Sequence, residues 1–189
     1  MCSLVFNQVP LLVIDGLHLV QSQAIIRYLA RKHGLAGACE ADATRCDIVA
    51  EGIKDWKGMM GAGFEFSFGA HDPSPEQLET SKAAIAKYFP LFERLLKRAL
   101  DGAKPAYLMS YIGLGLTYCD IMLLEGLEAV THAKRCPGCT DKYPLLKALH
   151  AHLLTLPEAQ TFLASEMRKN KTGATVPAYK ASVNKVLSR

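Results

Sequence analysis

Only one stretch of this 189-residue chain is patterned for β structure, and it sets much of what the fold can be. Leu11-Leu-Val-Ile14 and Leu17-His-Leu-Val20 flank Asp15-Gly16, a dipeptide suited to a two-residue type I′ turn because both central residues need φ > 0. Pro10 can open a strand but cannot donate within a central ladder. A helix is predicted at once, with Ser22 as N-cap, Ala24, Ile25, Tyr28 and Leu29 along one stripe, and Gly34 just past its end. Two strands and one helix bury too little surface to offset their ordering cost. Residues 1–36 must therefore dock on the rest of the chain, or belong to a larger unit.

Everything after Gly37 reads as helix. Asp42 to Met60 carries Ile48, Val49, Ile53 and Trp56 at helical spacing. Ser74-Pro75-Glu76-Gln77 combines an N-cap, a Pro at the first helical position and a Gln three residues on, and predicts a long helix to about Leu100. Thr117 and Asp120 have the spacing of a capping box ahead of Ile121–Val130, with Asp in place of the usual Glu or Gln. Further helices are predicted over 143–154, 157–167 and 178–187.

Composition narrows the function classes. Half the residues are apolar, and a chain of this length buries roughly 70% of its unfolded surface, so neither metal nor disulfides are needed to hold a core. The six cysteines, at 2, 39, 46, 119, 136 and 139, have no regular spacing, and the N-terminus lacks a basic n-region. They are expected to be reduced thiols in a cytoplasmic protein. Six basic residues and no acidic one follow Met167, which leaves 16 basic and 18 acidic residues in the body. A nucleic-acid binder would spread basic residues over a face of its body, so nucleic acid is not an expected partner. The apolar run 107–130 is broken by Asp120, Glu125 and Glu128, and each carboxylate at a bilayer centre costs a few kcal/mol. It reads as a buried helix, not a membrane span.

A set of short segments, in order over nearly the whole chain, resembles the cytosolic glutathione transferases, and most closely their alpha class. They are Asn7-Gln-Val-Pro10, Ile14-Asp-Gly16, Leu19-Val-Gln-Ser22 with Ala24-Ile25, Glu51-Gly-Ile53 with Asp55, Tyr88-Phe-Pro90 with Phe92-Glu93, Thr117-x-x-Asp120 and Pro144-Leu-Leu-Lys-Ala-Leu149. The fold class this implies is α+β: the C-terminal half of a thioredoxin-like domain (hairpin plus helix, 1–36), then an all-helical C-terminal domain (37–189). The family's catalytic Tyr lies on a strand ahead of the Val-Pro turn, and Met1 falls only nine residues before Pro10. The expectation is a chain lacking the start of that domain, a truncated or incompletely sequenced member with weak or absent conjugation.

The resemblance also assigns residues. Glutathione, the co-substrate, would be held by Gln8, by the backbone of Val9 ahead of a cis Pro10, and by Gln21 and Ser22 at a helix N-terminus, where free N–H groups favour an anion. A structural N-cap is the plain alternative for Ser22, and a solvated loop side chain for Gln8. Asp55 would reach the γ-glutamyl amine across a homodimer, and Lys87 stands where the family has an Arg, keeping the charge but not the planar fork. Asp55 is otherwise a surface carboxylate beside Lys54 and Lys57. Phe6 matches an aromatic key, and Ile48, Phe92 and Leu95 the lock of the partner subunit; Phe6 would otherwise be a frayed terminal residue. Gly61 and Ala62 stand where the family has large aliphatic groups of the apolar substrate pocket; Phe64, Phe66 and Phe68 just beyond would either reshape that pocket or belong to the core, and 178–187 resembles a lid.

Two other chemistries are open to these residue types. Cys136-Pro-Gly-Cys139 with His132, His150 and His152 has the elements of a zinc site, but a second CxxC is lacking and no metal is expected. A redox dithiol is the other reading, with no helix directly after the pair to lower a thiolate pKa. The main reading is an enzyme conjugating the glutathione thiolate to apolar electrophiles, the family's detoxification chemistry. Its rival is a non-catalytic ligand-binding or dimerisation module.

Overall fold

A computed structural model describes residues 4–61, 73–98, 107–131 and 135–166. Phe64, Phe66, Phe68, Ala62, His132, Cys2 and the predicted helix 178–187 lie outside them. Strands β1 (Leu11–Ile14) and β2 (Leu17–Val20) pair antiparallel, Leu11 opposite Val20 and Ile14 opposite Leu17. Asp15 and Gly16 turn between them with φ of 50° and 74°, both positive as a type I′ turn requires. Helix α1 (Ser22–Lys32) packs on β2. It closes in a Schellman motif: Gly34, at φ 70°, donates to Arg31 C=O and Leu35 to Ala30 C=O, 2.8 Å. Around the hairpin turn, Tyr28 Oη and Lys32 Nζ of α1 both donate to the Asp15 carboxylate.

Among the described residues five more helices follow: α2 (Glu40–Met59), α3 (Pro75–Leu96), α4 (Tyr118–Thr131), α5 (Pro144–Thr155) and α6 (Pro157–Ala164). The Ser74 capping box forms in full, since Gln77 N–H reaches Ser74 Oγ at 3.2 Å and Ser74 N–H reaches Gln77 Oε1 at 2.9 Å. Helix α3 runs on through Pro90 but stops at Leu96, four residues before its expected end. The run 107–130 is helical only from Tyr118. A short 3₁₀ turn at Ser110–Ile112 and a left-handed Gly113, φ 79°, precede it.

The core sits among α2, α3, α4 and α5. Trp56 at its centre meets Phe89 and Phe92 edge-on at 5.4 and 5.7 Å. Helix α4 can approach that indole because residue 126 is Gly: a Cβ there would lie 2.5 Å from Trp56 Cζ3. Two carboxylates inside the bundle do structural work on backbone N–H groups. Glu93 of α3, 6% exposed, accepts from Leu145 N–H (3.1 Å) and Leu146 N–H (2.9 Å), capping α5 from a neighbouring helix. Asp120, fully buried, accepts from Leu108 N–H at 2.6 Å and from both Thr117 N–H and Thr117 Oγ1 at 2.9 Å.

The Thr117 box thus forms only in part. The Asp carboxylate takes the cap residue's N–H, but the Thr hydroxyl donates to that carboxylate instead of accepting from the helix. Burial raises the Asp120 pKa, and the Leu108 and Thr117 donors pull against it.

Candidate functional site

The loop before β1 and the turn from β2 into α1 come together. Gln21 Nε2 donates to Gln8 Oε1 at 3.3 Å, so the side chains of two residues assigned from sequence meet across thirteen positions. Between them lies Val9-Pro10, a cis peptide bond. Gln8, Pro10, Gln21 and Ser22 are exposed, and Val9 is half-buried.

Ser22 differs from its predicted place. The cap position is Gln21, at φ 69° and ψ 112°, and Ser22 is the first helical residue; no side chain caps the helix. The Gln21 backbone turns into the left-handed region, uncommon for a residue with a Cβ and a form of strain that clusters at functional sites. The first helical bond is Ile25 N–H to Gln21 C=O, 3.0 Å. The N–H groups of Ser22, Gln23 and Ala24 are then left over, as at any helix start. No acidic residue occupies the first turn, while Arg31 and Lys32 close the last, so the positive end of α1 has no carboxylate of its own turn against it. The Ser22 hydroxyl is not used by the helix. Free N–H groups and a hydroxyl at the positive end of a helix are the donors that an anion would need.

Asp55 and Lys87 stand elsewhere, exposed on α2 and α3. The lysines flanking Asp55 are committed to other carboxylates, Lys54 to Glu51 at 2.8 Å and Lys57 to Glu125 at 2.5 Å. Asp55 itself makes no hydrogen bond or ion pair among the described residues. The Lys87 ammonium lies 5.0 Å over the Tyr88 ring. Of the key-and-lock residues, Phe6 is 62% and Ile48 67% exposed, Leu95 is half-buried and Phe92 is buried against Trp56. Ile48 therefore leaves the buried stripe of α2 on which its spacing had placed it.

Sequence reasoning missed the network that holds α1 on the bundle. Arg27 of α1 donates to Asp47 (3.1 Å) and Glu51 of α2, and Tyr118 Oη of α4 donates to the same Asp47 oxygen at 2.5 Å. Arg27 lies two residues past Ile25 and one before Tyr28 on the helix stripe, and that placement was its only signal. The Tyr28 and Tyr118 hydroxyls are both committed to carboxylates, Asp15 and Asp47. Tyr28 is raised by Asp15, and Tyr118 by burial first and then by Asp47.

Cys136 is buried and Cys139 half-buried. Desolvation raises both thiols, Cys139 to about 12, and among the described residues no group of three or more His, Cys, Asp or Glu is placed to hold a metal ion. No helix of the described residues is long and apolar enough to cross a membrane.

Two family models match the chain: glutathione S-transferase, N-terminal domain, over residues 1–31, and glutathione S-transferase, C-terminal domain, over residues 62–166. The chain is 37% identical over 166 residues to glutathione S-transferase A3 of Mus musculus, with 85% of this chain and 68% of that protein aligned. It is 30% identical to glutathione S-transferase A4 of Homo sapiens over 88% of this chain and 70% of that one. Solved structures similar to it include the monomeric Na-GST-3 of Necator americanus, at TM-score 0.70, 27% identity, 86% of this chain and 76% of that one. The glutathione S-transferase of Ascaris lumbricoides matches at TM-score 0.68 and 28% identity, over 84% and 74%. The chain belongs to the glutathione S-transferase family, enzymes that take glutathione as co-substrate.

Proposed function

We propose that this chain binds glutathione at the N-terminus of α1 and uses it as the family does, by attack of the sulfur on an electrophilic carbon of an apolar substrate. The γ-glutamyl carboxylate lies against the free N–H groups and hydroxyl of Ser22, with Gln21 beside it. The cysteinyl unit pairs with the Val9 backbone, and Gln8 reaches the glycyl end. The observation that carries this reading is the Gln8–Gln21 contact beside an uncapped helix start. Division into a glutathione-binding unit, 1–36, and a helical unit, 37–189, belongs to the same proposal, as do a cytoplasmic location and the absence of any metal.

Residues 1–189 supply the groups that hold the peptide better than those that activate its thiol. A thiolate at neutral pH needs a hydroxyl or cation donating to sulfur. Tyr28 and Tyr118 already donate to Asp15 and Asp47. Conjugation by this chain is accordingly expected to be much slower than by the mouse relative assayed beside it with a chlorinated nitroaromatic. Equal turnover would overturn that expectation.

Asp55 and Lys87, free of ion pairs among the described residues, are proposed to serve the site of a second copy in a homodimer, with Phe6 entering a lock of Ile48, Phe92 and Leu95. A second reading is a non-catalytic module with the same fold, favoured by the commitment of Tyr28 and Tyr118. One structural neighbour is described as monomeric, so assembly has to be measured.

A further inference from the structure

We propose that Cys136 and Cys139 form a site for low-molecular-weight disulfides, closing to an intramolecular disulfide at the expense of glutathione disulfide. The conjugation site takes no part in this, and the inference stands on the segment between α4 and α5. There Cys139 N–H donates to Cys136 C=O at 3.1 Å, with Gly138 between them at φ 73°. Pro137 fixes the preceding φ near −65°, and Pro then Gly with positive φ is the signature of a type II turn. Such a turn holds its first and last Cα within about 7 Å, and a disulfide spans Cα atoms about 4.4–6.8 Å apart. The backbone is already folded for the bridge.

The segment is also held in place. Cys136 N–H bonds to Val130 C=O at 3.0 Å, Asp141 N–H to Gly138 C=O at 3.0 Å and Tyr143 N–H to Thr140 C=O at 2.9 Å. The thiols differ in access: Pro137, Gly138 and part of Cys139 face solvent, while Cys136 is 9% exposed. A dissolved disulfide therefore meets Cys139 first. Lys82 and Arg135 favour charge on Cys136, although burial outweighs them.

The chemistry balances without another oxidant. The Cys139 thiol loses its proton and its sulfur attacks one sulfur of glutathione disulfide. A mixed disulfide forms, and one glutathione leaves as a thiolate that takes up a proton. The Cys136 sulfur, losing its proton in turn, attacks the Cys139 sulfur and releases the second glutathione. One disulfide is reduced to two thiols and the protein dithiol is oxidised by two electrons. Catalytic dithiols stabilise a thiolate and so become strong oxidants. Here neither thiolate is stabilised, so closure is slow at neutral pH and the bond, once made, is hard to reduce.

The test uses the whole native chain in glutathione and glutathione disulfide mixtures, acid-quenched and labelled with N-ethylmaleimide. Trypsin cuts after Arg135 and Lys142, so residues 136–142 carry both cysteines and no other, while residues 33–45 carry exposed Cys39 as an open-thiol control. In disulfide excess, 136–142 should lose two hydrogens and take no label, reversed by dithiothreitol, and Cys39 should stop at the mixed disulfide. Cys136→Ser should trap glutathione on Cys139, and Cys139→Ser should take up glutathione more slowly than Cys136→Ser. The wild-type result stands even if a variant fails to fold. Two labelled thiols in 136–142 while Cys39 is glutathionylated would overturn the proposal, as would closure seen only in urea, or stoichiometric zinc that blocks labelling of both.

Discussion

Replacing Asp120 by Ala should be among the most destabilising single changes in the helical bundle. Its carboxylate takes three donors: Leu108 N–H, Thr117 N–H and Thr117 Oγ1. A hydrogen bond to a charged group contributes about 1.5–3 kcal/mol net, but burial of the carboxylate, visible in its raised pKa, cancels part of this. Removing it leaves two buried backbone N–H groups without a partner, at about 1–3 kcal/mol each. The expected loss is about 4 kcal/mol, out of the roughly 5–15 kcal/mol typical of a folded chain. Thr117→Val removes only the hydroxyl donor and should cost about 1 kcal/mol. Urea unfolding followed by circular dichroism reads both, and an unchanged m-value keeps the comparison valid. A loss under 1 kcal/mol for Asp120→Ala, or equal losses for the two variants, would refute the three-donor account and restore the ordinary capping box.

Gly126→Ala puts a methyl 2.5 Å from Trp56 Cζ3, so a loss of about 1–3 kcal/mol is expected with a changed Trp fluorescence; unchanged melting would mean the indole has room to move. Asp15 lies below its usual 3.8, chiefly through Lys32 and then Tyr28, and Glu51 below 4.5, chiefly through Lys54. A depressed folded pKa gives stability that is present above the unfolded value and lost as pH falls through the folded one. The Asp15 contact between the hairpin turn and α1 should therefore be intact above the usual Asp value of 3.8 and weaken as pH falls below it, whereas the Glu51 share belongs mainly to the Lys54 pair within α2; amide exchange of α1 against pH, flattened by Asp15→Asn, checks this. Phe6→Ala should raise the dimer dissociation constant at least ten-fold in sedimentation, consistent with loss of an aromatic anchor; a tight dimer indifferent to the change would remove the key.

The β hairpin, the start of α3 and the stop of α1 were legible because each is decided by neighbours in sequence. Asp15-Gly16, Ser74-Pro75 with Gln77, and Gly34 carry their own backbone chemistry. Ser22 was misplaced by one residue because capping preference cannot anticipate a left-handed Gln21 standing in the cap position. The Thr117 box was half-read: the spacing was right, but the carboxylate's second oxygen is claimed by Leu108, which only the tertiary fold brings there. Glu93 over the start of α5 and Arg27 on Asp47 join residues 20 or more positions apart, and nothing local marks them. The periodicity of α2 put Ile48 inward, although it lies 67% exposed beside the buried Val49.

Titration calorimetry of the 189-residue chain with glutathione, and with its S-methyl derivative, tests the central claim most directly. Because the chain is held to grip the peptide and not the sulfur, the two ligands should bind one site per chain with similar affinity. Ser22→Ala should weaken both about ten-fold, the loss of one hydrogen bond to a carboxylate. A folded chain that releases no heat at millimolar glutathione, or one that binds it as well after Ser22→Ala, would contradict the assignment of the α1 terminus.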